Sequence, residues 1–231
     1  MKSLFFPFSL LFFLPCIVLA QTGQDSTRYD SEYLEDQFYV GLTYNLLLNK
    51  PEGITQRNLS YGLQGGFIKD IPLNARRNVA LGIGIGYAVN SYYTNLGATE
   101  TPNGITYAAL ADDIDLKRNK VETHLIEMPI AFRWRTSTAR VYKFWRIYTG
   151  VKLGYVLGSR SKLVTESQKN SFTNSDVRDF QYGLTFNFGY NTFNIHAYYA
   201  LNDFFNDNTS LDNGNSILAK PLRIGFIFYI L

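Results

Sequence analysis

The sequence predicts an all-β fold: an eight-stranded antiparallel transmembrane up-and-down β-barrel that follows a cleaved signal peptide. Apolar and polar residues alternate with a period of two in one segment after another, as they do in strands with two different faces. Aromatic residues bound each apolar band, whereas the opposite face is rich in glycine and polar side chains. A soluble antiparallel sheet also has one apolar face, but a face this polar and glycine-rich would make a poor dry core. Lipid around a closed sheet therefore fits the pattern better.

The N-terminus has the three regions of a secretory signal: a charged start, an apolar run and a small-residue cleavage site. An uncleaved anchor helix is the alternative, and Pro7 and Pro15 disfavour it because proline interrupts helices. The expected division is a signal peptide over residues 1–20, a flexible periplasmic lead-in over residues 21–36 and the barrel over residues 37–231.

Composition narrows the function classes. The chain has 231 residues and a formal net charge of +3, which is too small to indicate nucleic-acid binding. Its single cysteine, Cys16, lies in the expected signal, so the exported chain should have no disulfide or thiolate metal site. Beyond the N-terminus no apolar run reaches the length of a membrane helix.

Eight segments show the alternation required of a membrane strand, which needs roughly 9 to 11 residues to cross a bilayer. In the third segment, glycine or alanine occupies each inward position, which suits a narrow barrel whose wall must be thin in places. The outward residues are every second residue of 38–48, 59–67, 79–89, 126–134, 145–157, 180–188, 193–201 and 222–230.

The fourth and fifth segments form the clearest hairpin. Closing it through residues 136–142 places Trp134 opposite Trp145 and Glu127 beside Lys152. The two tryptophans are then expected to belong to a periplasmic aromatic girdle, because such girdles mark the membrane interfaces of barrels.

The connections between segments alternate in length. Residues 50–56, 94–120, 159–176 and 206–216 form long loops, and residues 69–77, 136–142 and 190–191 form short turns. This arrangement is typical of an outer-membrane barrel with both termini in the periplasm. Basic residues would then crowd the periplasmic rim, either as a solvated edge or as a docking surface for a partner. The candidates for docking are Arg76, Arg77, Arg135, Arg140 and Lys143.

Charged residues are also expected inside the barrel. Glu127, Lys152 and Arg223 point inward near mid-depth, where an isolated charge would be costly. We predict that they form an ion-paired network that fills the lumen, because a barrel of about eight strands holds side chains rather than a channel. A path for protons or a substrate is the alternative interpretation.

His196 is a second inward-facing candidate. The tight turn at residues 190–191 is expected to place it opposite Thr185, with Asn187 nearby. A hydrogen-bonded interior histidine is the interpretation we favour over a ligand or a catalytic base.

No residue pattern indicates catalysis, a cofactor or a metal. Enzymes that modify lipid need a serine or aspartate arranged with a histidine, and neither histidine has such a local partner. Two histidines without ligand spacing do not form a metal site, and the glycines of residues 82–86 lie within a strand, unlike a phosphate loop. We expect a non-enzymatic monomeric barrel that contacts outer-membrane lipid and no nucleic acid. A soluble lipocalin-type barrel would instead need apolar residues inside.

Five segments together resemble the PorT (SprT) proteins of the Bacteroidota, and they are spread over nearly all of the expected exported chain. These segments are residues 33–39 (YLEDQFY), 61–72 (YGLQGGFIKDIP), 122–130 (ETHLIEMPI), 144–155 (FWRIYTGVKLGY) and 220–230 (KPLRIGFIFYI).

The resemblance implies an outer-membrane barrel required for the type IX secretion system, which exports proteases, adhesins and gliding-motility proteins that carry a C-terminal signal. It implies other secretion components as partners and brings no catalytic motif. The alternative function is a small structural or adhesive outer-membrane barrel that acts through its long loops, such as residues 94–120.

Overall fold

A computed structural model of the chain describes residues 36–56, 58–111, 116–136, 144–166 and 169–230. The expected signal peptide and residues 21–35 of the expected lead-in lie outside these ranges. The regular elements within them are β-strands. No helix in the described ranges is long and apolar enough to cross a membrane.

Eleven strands occur in the described part of the chain. They are β1 (Gln37–Leu48), β2 (Tyr61–Pro72), β3 (Val79–Tyr93), β4 (Leu96–Thr101), β5 (Gly104–Ala109), β6 (Leu116–Arg135), β7 (Trp145–Thr165), β8 (Lys169–Thr173), β9 (Phe180–Tyr190), β10 (Phe193–Ala200) and β11 (Lys220–Ile230). Strands β4 and β5 pair only with each other, and β8 pairs with the end of β7.

The other eight strands close into an antiparallel ring. Their order around the ring is β6, β3, β2, β1, β11, β10, β9 and β7, and the pairing of β7 with β6 closes it. The first strand pairs with the last, so that Tyr39 lies opposite Tyr229. Closure matters in lipid, because an open edge would expose backbone amides that hydrocarbon cannot satisfy. The eight-stranded antiparallel barrel predicted from the sequence is confirmed.

Side chains alternate between the outer surface and the lumen along each barrel strand. On β9, for example, every second residue is exposed and the residues between them are buried. Phe226 is 52% exposed, whereas its neighbour on the other face of the sheet, Ile227, is 4% exposed. The outer surface is therefore an apolar belt, and the polar side chains turn inward. We call the rim with the short turns the turn end and the opposite rim the loop end.

The pairing of β6 with β7 differs by two residues from the predicted register. Trp134 lies opposite Ile147 instead of Trp145, and the same shift moves Lys152 two positions along the sheet from Glu127. The predicted pairing is wrong because register depends on how the turn closes, and a period-two pattern cannot distinguish registers that are two residues apart. Such a shift keeps each side chain on its original face.

Strands β6 and β7 extend beyond the predicted segments at the loop end. Because β6 begins at Leu116 and β7 ends at Thr165, parts of residues 94–120 and 159–176 are strand rather than loop. The β4–β5 hairpin and β8 also lie in these two regions. The long connections thus contain folded structure that the sequence pattern did not predict.

Glycine allows β6 and β7 to approach closely at one point. A Cβ atom at Gly150 would overlap the backbone of Ile130 and Ala131. Gly158, further along the same strand, has no heavy atom within 4 Å of the place that its Cβ would take. The same added methyl group should therefore have different effects at the two positions.

We expect Gly150→Ala to lower the free energy of unfolding by about 1–3 kcal/mol, because the two strands must move apart to accept the methyl group. Gly158→Ala is the matched control and should stay within about 0.5 kcal/mol of the wild type. Urea unfolding of the barrel in phospholipid vesicles measures both. Equal stability of the two variants would contradict the close approach.

Candidate functional site

Three charged side chains from separate strands meet in the middle of the lumen. Glu127 on β6 accepts a hydrogen bond from Lys152 Nζ on β7 at 2.9 Å and another from Arg223 Nη1 on β11 at 3.0 Å. The side chains of Glu127, Lys152 and Arg223 are 1%, 4% and 5% exposed. The structure thus brings together the three residues that the sequence singled out as a lumen network. The two-residue register shift does not prevent the contact, because Lys152 reaches Glu127 diagonally.

Polar groups on further strands surround these ion pairs. Lys152 Nζ also donates to Gln64 Oε1 at 2.6 Å, and Arg223 Nη1 donates to Asn90 Oδ1 at 3.2 Å. The guanidinium of Arg223 lies 3.8 Å from the ring centroid of Tyr198, a cation–π distance. One carboxylate and two cations leave a net positive charge in the lumen. The contacts from β2, β3 and β10 stabilise that charge. A buried ion pair is stable only when such additional hydrogen bonds satisfy its remaining groups.

His196 lies in the lumen and is 2% exposed. Its Nδ1 lies 2.6 Å from Asn187 Oδ1, so the ring donates to the amide oxygen. The residue directly opposite is Asn187, whereas Thr185 lies opposite Tyr198. The predicted pairing of His196 with Thr185 is wrong by two residues, again because the turn sets the register.

A second charged cluster, near the turn end, was not predicted. Asp70 on β2 accepts hydrogen bonds from Arg133 Nη1 and, at 2.6 Å, from Arg135 Nη1, and all three side chains are 0% exposed. Arg133 also donates to Gln37 Oε1, and its guanidinium lies 4.2 Å from the ring centroid of Tyr148. Alternation along β6 turns both arginines inward, and their pairing with Asp70 depends on the ring order of β2, β3 and β6.

The structure removes one residue from the predicted basic rim at the turn end. Arg135 is wrongly assigned to it, because its side chain is buried and paired with Asp70. Arg76 is exposed, and the backbone carbonyl of Arg77 accepts a hydrogen bond from Arg135 Nη2 at 2.7 Å. Arg140 and Lys143 lie outside the described residues.

The two tryptophans lie on the outer surface at the turn end. Trp134 is 38% exposed and Trp145 is 48% exposed. Trp145 stacks on Phe188 with 5.3 Å between ring centroids and contacts Tyr190 at 5.1 Å. Aromatic rings therefore line this edge of the apolar belt.

The long connections pack together as a cap at the loop end. Tyr92 contacts Phe204 with 4.9 Å between ring centroids, and Tyr107 contacts Phe205 at 5.6 Å. The buried residues of the cap core are Leu47, Ile54, Tyr92, Leu96, Ala98, Tyr107, Val121, Phe172, Val177, Phe204, Phe205, Leu211, Ile217 and Ala219. Apolar residues within the long predicted loops were the signal that could have indicated this core.

Hydrogen bonds fix the cap from several sides. The Tyr107 hydroxyl donates to Asn174 Oδ1 at 2.9 Å, and burial raises the pKa of Tyr107 further above neutral pH. The Asp212 amide donates to the Tyr107 carbonyl at 2.9 Å. Asn95 N–H donates to the Thr55 carbonyl at 3.0 Å, which joins the first long connection to the second. The cap is therefore a packed layer with its own hydrophobic core.

These three layers determine what the lumen can do. Side chains of the Asp70 cluster and the Glu127 network occupy the lumen, and the cap packs at its loop end. The arrangement holds a barrel in one shape and does not resemble an open pore. Within the residues that the structure describes, no group of three or more His, Cys, Asp or Glu side chains could hold a metal ion.

A comparison with known protein families agrees with this architecture. A family model described as an outer membrane protein beta-barrel domain matches residues 19–206 of the chain. A search of curated proteins gave no match.

The lumen network predicts an asymmetric response to mutation. Glu127→Gln should cost about 3–5 kcal/mol of unfolding free energy, because it leaves two buried cations without a carboxylate. Lys152→Met should cost less, since Glu127 keeps Arg223 as its partner. The double variant should show a coupling of at least about 1 kcal/mol between the two residues.

Lys117→Met is the control for this double-mutant cycle. Lys117 lies 3.5 Å from Glu166 with both side chains largely exposed, so its loss should change stability by no more than about 0.5 kcal/mol. Urea unfolding in vesicles measures the wild type and the four variants. Additive effects of the Glu127 and Lys152 changes would show that the pair is energetically uncoupled.

The cap predicts a local effect of core truncation. Phe205→Ala removes a ring that is 1% exposed, and the cavity should loosen the cap while the barrel stays folded. Limited proteolysis should then cut the loop end faster by on the order of a hundredfold, because cleavage follows local opening. Phe193→Ala, which truncates a 70% exposed ring on the outer surface, should leave the cleavage rate unchanged. Rapid cleavage of the wild-type loop end would argue against a packed cap.

Proposed function

Since the chain belongs to the family of outer-membrane β-barrel domains, we propose that it is a non-enzymatic accessory component of protein export by a type IX secretion system. In this role it is required for secretion of cargo that carries a C-terminal signal. In bacteria that glide, it also supports motility through the export of motility proteins.

The observation that supports this role most directly is the location of the lumen network. Glu127, Lys152, Arg223 and Gln64 each come from a different one of the segments that resemble the PorT proteins. The segments that carry the resemblance are therefore also the ones that fix the interior of this barrel. Apolar alternation on the outer surface occurs in all such barrels, so it says little about function. A resemblance to the PorT proteins in the segments that form the interior is stronger support for the same role.

The filled lumen favours a role in contact rather than in conduction. Cargo that crosses the outer membrane in an extended form needs a wide water-filled path, and eight strands enclose too little space for one. We infer that cargo passes through another component and that this barrel binds that component, either through the outer wall, the cap or exposed basic residues such as Arg76.

The proposed orientation puts the turn end in the periplasm. Strand β1 starts and β11 ends at the turn end, where Phe38 lies opposite Ile230, so both ends of the barrel would be periplasmic. The cap would then face the outside of the cell. This agrees with the usual arrangement of short periplasmic turns and longer external loops.

The alternative is a structural or adhesive barrel that acts through its external loops. The packed cap favours it to some degree, because a folded surface layer can present a defined binding face. The β4–β5 hairpin would be the binding element, because Glu100 and Ala108 are exposed on it.

A deletion strain distinguishes the two functions. We expect deletion to abolish secretion of signal-bearing cargo into the medium and to leave the cargo inside the cell, and we expect the wild-type gene to restore secretion. Immunoblots of medium and cell fractions give the readout. The matched control is a complementing gene in which a Gly-Ser linker replaces residues 99–106 of the hairpin, which should also restore secretion.

Normal export from the deletion strain would refute the secretion role. The adhesive alternative would be established by two results together. The deletion strain would export cargo normally, and cells that carry the hairpin variant would lose surface adhesion.

A further inference from the structure

The outward face of β6, β7 and β8 at the loop end carries a cluster of cations. Its members alternate with residues that turn toward the cap core, such as Val121 and Phe172. We call this surface the basic patch and define it as Arg118, Lys120, Arg160, Lys162 and Lys169.

Two members of the basic patch face each other directly. Lys120 on β6 is the cross-strand partner of Lys162 on β7, which places their Cβ atoms about 5 Å apart. Like charges in directly opposite positions destabilise a sheet unless an anion lies between or beside them. Lys120 already has such an anion in Glu122, so Lys162 is the member of the pair that still favours an external anionic group.

The nearest carboxylate is already occupied. Glu122 accepts hydrogen bonds from Lys120 and, at 3.0 Å, from Ser91 Oγ, and it lies 3.6 Å from His124 Nε2. Glu122 is also the cross-strand partner of Arg160, but in the described part of the chain the carboxylate contacts within 4.0 Å in this region involve Lys117, Lys120 and His124 rather than Arg118, Arg160 or Lys162. The patch therefore retains several positive charges for an external partner.

The apolar belt continues directly below the basic patch. On the same outward face Ile126 is 42% exposed and lies between Tyr87 and Tyr155 on the neighbouring strands. The Tyr87 hydroxyl lies within hydrogen-bond distance of His124 Nδ1, at 2.6 Å, at the boundary between the two surfaces. A molecule with acyl chains and a phosphorylated headgroup matches this order of apolar and basic surface.

We propose that the basic patch binds the phosphate groups of a phosphorylated glycolipid in the leaflet at the loop end, with its acyl chains against the belt at Ile126 and Tyr155. The choice of glycolipid rests on the proposed orientation, in which this leaflet is the outer one. The occupant follows from charge complementarity and from the continuity of the patch with the lipid-facing surface. Each Lys or Arg close to an anionic lipid surface strengthens binding about fivefold.

Titration of the purified full-length barrel with diphosphoryl lipid A, followed by native mass spectrometry, tests this binding. The double variant Arg160→Gln with Lys162→Gln should bind about 30-fold more weakly than the wild type, because two of the cations are lost. The matched control is Lys50→Gln with Lys220→Gln. It removes two charges at the loop end near β1 and β11, across the ring from β6 and β7, and it should bind within about threefold of the wild type.

Two further ligands use the wild-type barrel alone, so the test stands even if a variant does not fold. Dephosphorylated lipid A should bind as weakly as the double variant does, and inorganic phosphate should not displace lipid A at matched concentration. Equal binding of lipid A and its dephosphorylated form, or an affinity unchanged in the double variant, would overturn the proposal. Efficient displacement by inorganic phosphate would also overturn it, in favour of a simple ion site. Because binding is measured on the purified barrel, the result is independent of the export role.

Discussion

The fold depends on one constraint: hydrocarbon offers no hydrogen-bond partner to a backbone amide. A sheet in that environment must pair its two edges with each other, and here the first strand, β1, pairs with the last described strand, β11. Once the ring is closed, the period of two along every strand assigns half of the side chains to lipid and half to a narrow interior. The composition of the two faces then follows from the solvents they meet. Apolar side chains contact lipid, and the interior receives glycines and polar groups.

The interior solves a second problem that the ring creates. A lumen lined by charges would be costly in a space this small, so each buried ion needs several partners. Glu127 serves two cations, and those cations in turn contact Gln64, Asn90 and the ring of Tyr198. Asp70 has the same role for Arg133 and Arg135 nearer the turn end. Together with the cap, these layers leave an interior that supports the wall rather than a passage.

The sequence predicted which way residues point much better than it predicted which residues meet. Alternation alone assigned Glu127, Lys152, Arg223 and His196 to the interior, because facing is a local property of a strand. The partners of His196 and Trp134 were each displaced by two residues, since register is decided at a turn whose closure has no period. The Asp70 cluster was missed because Asp70 was assigned to the short turn of residues 69–77, whereas it lies on β2 and meets arginines on β6, which β3 separates from β2 in the ring. The cap was missed because its core gathers residues from several connections and strand ends that are far apart in the sequence, and a local repeat does not indicate such long-range contacts.

Arg223 belongs to the last strand of the chain, yet its carboxylate partner lies 96 positions earlier. In a sheet whose first and last strands had not met, Glu127 would keep Lys152 as its neighbour on the adjacent strand, whereas Arg223 would lie far from its carboxylate partner. Neutralisation of the charges in the lumen therefore depends on the same ring closure that pairs the backbone of β1 with that of β11.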